Sequence, residues 1–236
     1  MNEYSFRLWH DWRMVATARS AKRTARREQR RQQLIDATMK CIARKGMGST
    51  TLGDVANEAG LSQGIVNLHF ESKDNLLTET LRYLADEYKA QFNKAYEKSG
   101  PDPAERLLAL VQLDLRPSIC DRRKVAVWFA FWGEVQSRPT YRKICDERDQ
   151  YYDDIVEGLA RDIIADGGYE GVTAESVAIM LTSMTNGLWL SCLISPGSFD
   201  RHKAMDAVLE YLCSVFPDHF SSHELTGGTP DAHRDE

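Results

Sequence analysis

The chain has 236 residues, 42% of them hydrophobic and 28% charged, with a formal net charge of −5. That is ordinary for a globular protein and long enough for one large or two modest domains with a real core. No apolar run is read as a bilayer span, and the first eighteen residues lack an apolar block followed by a cleavage-type site, so neither a membrane anchor nor a secretory leader is expected.

In chain order, residues 1–27 read as a basic, flexible extension, with Met1 and Met14 both open as the start. A first helix over 33–44 has Leu34, Ile35, Thr38, Met39 and Ile42 on its apolar face and ends at Gly46-Met47-Gly48. The next segment, TLGDVANEAGLSQGIVNLHF (51–70), is the most informative in the chain. Thr51 caps a short helix, with Asp54 completing a capping-box-like pair. Leu52, Val55, Ala56 and Ala59 form its buried stripe, and Ala56 is small enough for a crossing of two helices. Gly60 ends it and Ser62 caps the second helix, whose apolar side carries Ile65, Val66 and Phe70. The opposite side presents Gln63, Asn67, Leu68 and His69, hydrogen-bonding and apolar groups suited to a DNA major groove.

A long helix follows over 72–98, with Leu76, Leu77, Leu81, Leu84, Tyr88 and Phe92 on its buried side. Further helices are expected to about 115 after Pro103, then over 122–137, 141–165, 173–194 and 201–215, the last stopped by Pro217. No alternating strand pattern is present. The expected fold is all-α: an extension (1–27), a three-helix helix-turn-helix domain (28–75), a helical ligand-binding and dimerisation domain (76–217) and a disordered polar tail (218–236).

The charge is split unevenly: residues 1–75 carry +5 and the remainder −10. A basic head on an acidic body fits a protein that meets a polyanion at one end. A basic membrane-surface helix over 19–45 is the competing reading, but its apolar face is needed to pack the head. Cys41, Cys120, Cys145, Cys192 and Cys213 are odd in number and lack metal-ligand spacing, so buried, reduced thiols of a cytoplasmic protein are expected. There is no phosphate-binding glycine loop, no HExxH and no nucleophile elbow, and the six histidines are dispersed, so no enzyme, metal or cofactor is expected.

In the body, Trp128 and Trp132 share a helix face, flanked by Phe129 and Phe131, and Trp189 lies two helices later. Asp114 follows Leu107, Leu110 and Val111 on a stripe that should be buried, where an unpartnered charge is costly. Glu134 raises the same question beside the aromatic cluster. Aromatic faces with a carboxylate suit a quaternary ammonium ion. Ordinary core packing of the rings, with Asp114 reaching solvent or Arg116, is the alternative.

Thr51, Val55-Ala56, Ala59-Gly60, Ser62, Gly64, Phe70, Lys73 and Leu76 together form a long, specific pattern that resembles the TetR family of repressors. RRQQLIDAT (30–38), SQGIVNLHF (62–70), VWFAFW (127–132) and NGLWL (186–190) are similar, in the same order, to choline-responsive members that control glycine-betaine synthesis. The resemblance implies a homodimer that binds double-stranded operator DNA and releases it when a small molecule enters the body. It implies phosphate contacts at Thr51 and Lys73, and a groove-facing surface at or beside Gln63, Ile65, Asn67, Leu68 and His69. Asn67 stands where most members have Tyr, so a common aromatic phosphate contact is missing. For the body it implies a choline-like effector among Trp128, Trp132 and Trp189, with Asp114 or Glu134 as counter-ion; a different hydrophobic or cationic effector is the alternative. Pairing is expected through 173–194, with Val177, Met180, Leu181, Met184, Leu188 and Cys192, and 201–215, with Val208, Leu209, Leu212 and Val215.

Overall fold

The computed structural model describes the backbone of residues 3–221 and the side chains of residues 23–221. Among these every regular element is helical: α1 (Glu3–Lys45), α2 (Leu52–Glu58), α3 (Gln63–Phe70), α4 (Lys73–Lys98), α5 (Pro103–Leu115), α6 (Arg122–Trp132), α7 (Pro139–Gly167), α8 (Ala174–Ile194) and α9 (Arg201–Val215). They divide into two compact units, residues 1–80 and 81–236, and α4 runs from the first into the second. The expected all-α class is what is found.

In the first unit, α1 is much longer than its apolar periodicity suggested. It reaches back to Glu3, into residues expected to be flexible. The first 45 residues contain neither Gly nor Pro, so nothing in the covalent chain interrupts a helix there. Leu34, Ile35, Ala37, Cys41 and Ile42 of α1 are buried, as are Val55, Ala56 and Ala59 around α2 and Val66 and Phe70 of α3. The small residues let α1, α2 and α3 approach closely. Gly60, with φ of 63°, adopts the left-handed conformation that turns the chain from α2 to α3.

In the second unit, α5 is the central strut. Asp102 caps it by accepting from the backbone N–H groups of Ala104 and Glu105, and Pro103 opens it. Seven of its residues are buried, Asp114 among them, and it packs against α7, α8 and α9. The helix expected over 122–137 ends at Trp132: Gly133 caps it and the following residues form turns, which takes Glu134 off the helix. The ordered body also passes the expected boundary at 217. Phe220 is buried, its ring 6.2 Å from that of Phe216, and His219 is bonded to Tyr169. The rest of the expected tail, 222–236, lies outside the described residues.

Helix α8 corrects the reading of the apolar runs. It is 21 residues long and contains an 18-residue stretch with a mean hydropathy of 1.6, enough to cross a membrane by length and composition alone. Here Val177, Ala178, Leu181, Trp189 and Cys192 are buried within the second unit, and Thr182 and Thr185 hydrogen-bond carboxylates there. Its outward side exposes Ile179, Met180, Leu190 and Ile194. Three residues of the expected pairing stripe, Val177, Leu181 and Cys192, are therefore spent on the core, as are Val208, Leu209 and Leu212 of α9. Four of the cysteines are buried and Cys213 is half-buried. Cys120 sits between helices rather than on one, and burial pushes its thiol up to about 12.

Candidate functional site

In the first unit the predicted DNA-contacting residues lie on α3, just before α2 and at the start of α4. Thr51 accepts from the Asp54 N–H at 3.2 Å, and Asp54 Oδ2 accepts from the Thr51 N–H at 2.8 Å, so both ends of the capping box are closed. Lys45 pairs with the same carboxylate, and these contacts hold Asp54 well below the usual carboxylate range. The start of α2 is thus fixed while Thr51 stays at the surface. Ser62 is the N-cap of α3, but its hydroxyl makes no capping bond, contrary to expectation. The turn from α3 to α4 is tight: Glu71 takes a positive φ of 62°, and Asn75 Nδ2 donates to the Phe70 carbonyl at 3.0 Å.

On α3, Gln63, Asn67 and Leu68 are exposed, and Ile65 and His69 are half-buried. Leu68 is 76% exposed, the most exposed large hydrophobic side chain among the described residues. An apolar side chain set in water between hydrogen-bonding neighbours is what a thymine methyl contact requires. Burial and the charges of Arg27 and Arg31 push the His69 imidazole down, so it is neutral at pH 7 and able both to donate and to accept. Lys73 opens α4 and donates to the Gly48 carbonyl at 3.2 Å, which ties its ammonium near the loop before α2. All seven sequence-predicted residues lie in this unit, with Thr51 and Lys73 at helix N-termini where the dipole favours phosphate.

The second unit contains a buried polar knot centred on Asp114, which is 1% exposed. Tyr88 donates to its Oδ1 at 2.7 Å, and Tyr152 and Thr185 donate to Oδ2 at 3.2 and 3.3 Å. Trp189 Nε1 donates to the Asp114 carbonyl at 2.9 Å. Three helices, α4, α7 and α8, therefore converge on one residue of α5, and its desolvation is offset by hydrogen bonds and the charge of Arg148. Burial still dominates and pushes the Asp114 carboxyl up to about 6. The alternative in which Asp114 reaches solvent or Arg116 does not hold.

The expected aromatic grouping forms around this knot. Trp132 and Trp189 stack at 9° with centroids 6.4 Å apart, Trp128 lies 6.1 Å from Trp132, and Tyr88 meets Trp189 edge-on at 6.3 Å. Glu134 is not part of it. Its carboxylate is 42% exposed, pairs with Arg138 and accepts from Ser137. Of the two predicted carboxylates the site keeps Asp114, and Asp149 and Asp153 also line the small space beside it. Sequence reading missed Tyr88, Arg148, Tyr152 and Thr185. Tyr88 was placed on a buried face but read as core, and the other three fall on long helices whose polar positions look like ordinary surface.

An exposed helix-turn-helix surface on one unit and a buried polar and aromatic cluster in the other are the two parts expected of a ligand-responsive transcriptional regulator. Residues 34–80 match the model of the TetR family of bacterial regulatory proteins, and residues 103–217 match that of the BetI-type transcriptional repressor C-terminal domain. The HTH-type transcriptional regulator BetI of Paraburkholderia phymatum is 31% identical over 187 residues, 79% of this chain and 92% of that protein. BetI of Pseudomonas aeruginosa is 29% identical over 185 residues, covering 78% and 91%. The chain belongs to the TetR family of transcriptional regulators and carries a BetI-type C-terminal domain; it is a regulator and not an enzyme. Among solved structures, a transcriptional regulator from Pseudomonas aeruginosa superposes with a TM-score of 0.71 at 26% identity, over 84% of this chain and 93% of the other. A regulator from Saccharomonospora viridis in complex with choline gives 0.71 at 22%, over 78% and 96%, a likeness of fold.

Proposed function

We propose that the protein represses genes of choline and glycine-betaine metabolism, binding operator DNA as a homodimer and releasing it when a quaternary ammonium such as choline enters the second unit. The observation that carries this reading is Asp114, a buried carboxylate hydrogen-bonded by Tyr88 and Tyr152 and meeting Trp189, whose ring stacks on Trp132 and through it adjoins Trp128. A quaternary ammonium has no N–H to donate and a low desolvation cost; ring faces and a nearby carboxylate are the groups that favour it. The BetI relatives and the choline-bound neighbour support the same chemistry.

In this reading Thr51 and Lys73 contact phosphates, while Gln63, Asn67, Leu68 and His69, with Ile65 beside them, face the groove. Helix α4 links the two units covalently, so an effector seated against Tyr88 acts on the helix that begins with Lys73. The switch can be no larger than the effector's difference in affinity between the two conformations. The outward apolar residues of α8, Ile179, Met180, Leu190 and Ile194, supply the pairing face together with α9, in a four-helix arrangement of two copies. Operator binding places the protein in the cytoplasm.

Titrating choline against intrinsic tryptophan fluorescence tests the effector assignment. A saturable change is expected, lost in Trp128→Ala and Trp189→Ala. A flat response in the wild-type protein would sink the choline assignment and leave a TetR-type regulator with another effector.

A further inference from the structure

The faces of the aromatic site are covered by a cation that belongs to the chain itself. The Arg148 guanidinium carbon lies 4.6 Å from the ring centroid of Trp128 and 5.5 Å from those of Trp132 and Tyr88. All three distances fall within the range of cation–π attraction, about 6 Å. The side chain is 10% exposed. The charge therefore occupies the environment an onium ion would seek. Its partner is not the buried carboxylate: Arg148 Nε donates to Oδ1 of Asp149 at 2.7 Å, and Asp149 is 41% exposed. Nε and Nη2 both donate to this one partly solvated carboxylate on the same helix, so the guanidinium is anchored to α7 and held against α4 and α6 by ring faces.

The cavities on either side give the exchange its geometry. Beside Asp114, among Arg148, Thr185 and Trp189, the space is about 20 Å³, room for roughly one water-sized molecule. Between α4 and α7, a cleft of about 270 Å³ is lined by Asp86, Glu147 and Tyr151 as well as Arg148. Arg148, Tyr88 and Tyr152 line both spaces. A rotation of the Arg148 side chain into the cleft would move its charge towards two carboxylates, uncover the rings, and join the two spaces.

We propose that Arg148 is an internal rival of the effector: an onium ion binds by displacing its guanidinium from Trp128, Trp132 and Tyr88 into the α4–α7 cleft. The competition sets the effector concentration at which the regulator responds, because every binding event includes the cost of moving Arg148. The inference rests on the onium reading of the site, and its test separates the two.

Choline and ethylguanidinium are titrated against tryptophan fluorescence in the wild-type protein and in Arg148→Gln and Arg148→Met, with cooperative thermal melting as the check on folding. Choline affinity is expected to rise at least tenfold in both variants, and ethylguanidinium to bind them and compete with choline there. In the wild-type protein, choline is expected to increase phenylglyoxal modification of Arg148, read by mass spectrometry, severalfold as the side chain leaves the rings. Choline binding without any gain in the variants and without greater modification of Arg148 would overturn the displacement and leave the onium site standing. Ethylguanidinium binding to the variants, with no choline binding to any form, would overturn the onium effector while supporting the seat of Arg148. Variants that bind neither cation would contradict both.

Discussion

The two units treat polar side chains in opposite ways. In the first, the groups that matter are short and exposed on a small helix: Gln63, Asn67 and Leu68 stand in water, and their backbone is fixed by a closed capping box, a left-handed glycine and a tight α3–α4 turn. In the second, Asp114 is enclosed and held by three hydroxyls from three helices. A surface that reads DNA needs a rigid scaffold and free side-chain ends. A site that senses a small molecule needs the reverse, a desolvated charge whose surroundings can rearrange.

This contrast predicts that the two functions separate by mutation. The largest effect is expected from Asp114→Asn, which keeps volume and removes charge. Choline affinity should fall about thirtyfold or more, the equivalent of about 2 kcal/mol, with operator affinity unchanged. Glu134→Gln, directed at the carboxylate that faces Arg138, should leave both unchanged. Calorimetric titration of both variants checks the pair, and a loss at Glu134 matching that at Asp114 would break the choice of Asp114 over Glu134.

The head should show the complementary pattern. Asn67→Ala is expected to weaken operator binding by about 1–3 kcal/mol and to relax base preference, whereas Lys73→Ala should weaken all sequences alike and lower the salt slope by about one. Choline affinity should be untouched in both. Binding isotherms at several salt concentrations, on operator and on scrambled DNA, distinguish a base reader from a phosphate contact.

A pH dependence follows from the raised Asp114 carboxyl. An acid with a folded-state pKa of about 6 against 3.8 holds its proton more tightly in the native protein than in the unfolded chain. Stability associated with this group is therefore fully present below pH 4 and lost as pH rises to about 6, by roughly 3 kcal/mol. Affinity for a cation moves the other way, and choline should bind about tenfold more weakly at pH 5 than at pH 7.5. Melting and titration across pH 4–8 check both slopes, and Asp114→Asn should flatten them.

Much of the head was legible in the sequence because its signals are local. Capping residues, a turn glycine and apolar spacing fix α2 and α3 within twenty residues. The body was legible where a residue violated its pattern: Asp114 on an apolar stripe announced a buried charge and led to the tryptophans. Tyr88, Tyr152 and Arg148 broke no pattern. Each is an acceptable residue on an amphipathic helix, and only the convergence of α4, α6 and α7 gives it a role. Glu134 was misplaced because nothing in its own segment marks the end of α6 at Trp132 beyond one glycine. Phe220 was missed because a single ring in a polar stretch has no periodicity to report.

The account turns on one link, from a cation in the second unit to DNA held by the first. Fluorescence anisotropy of labelled DNA from upstream of the protein's own gene, with choline added stepwise, tests it most directly. Saturable release is expected in the wild-type protein, at lower choline in Arg148→Met and only at far higher choline in Asp114→Asn. Choline that saturates the tryptophan signal while the anisotropy stays constant would contradict the account.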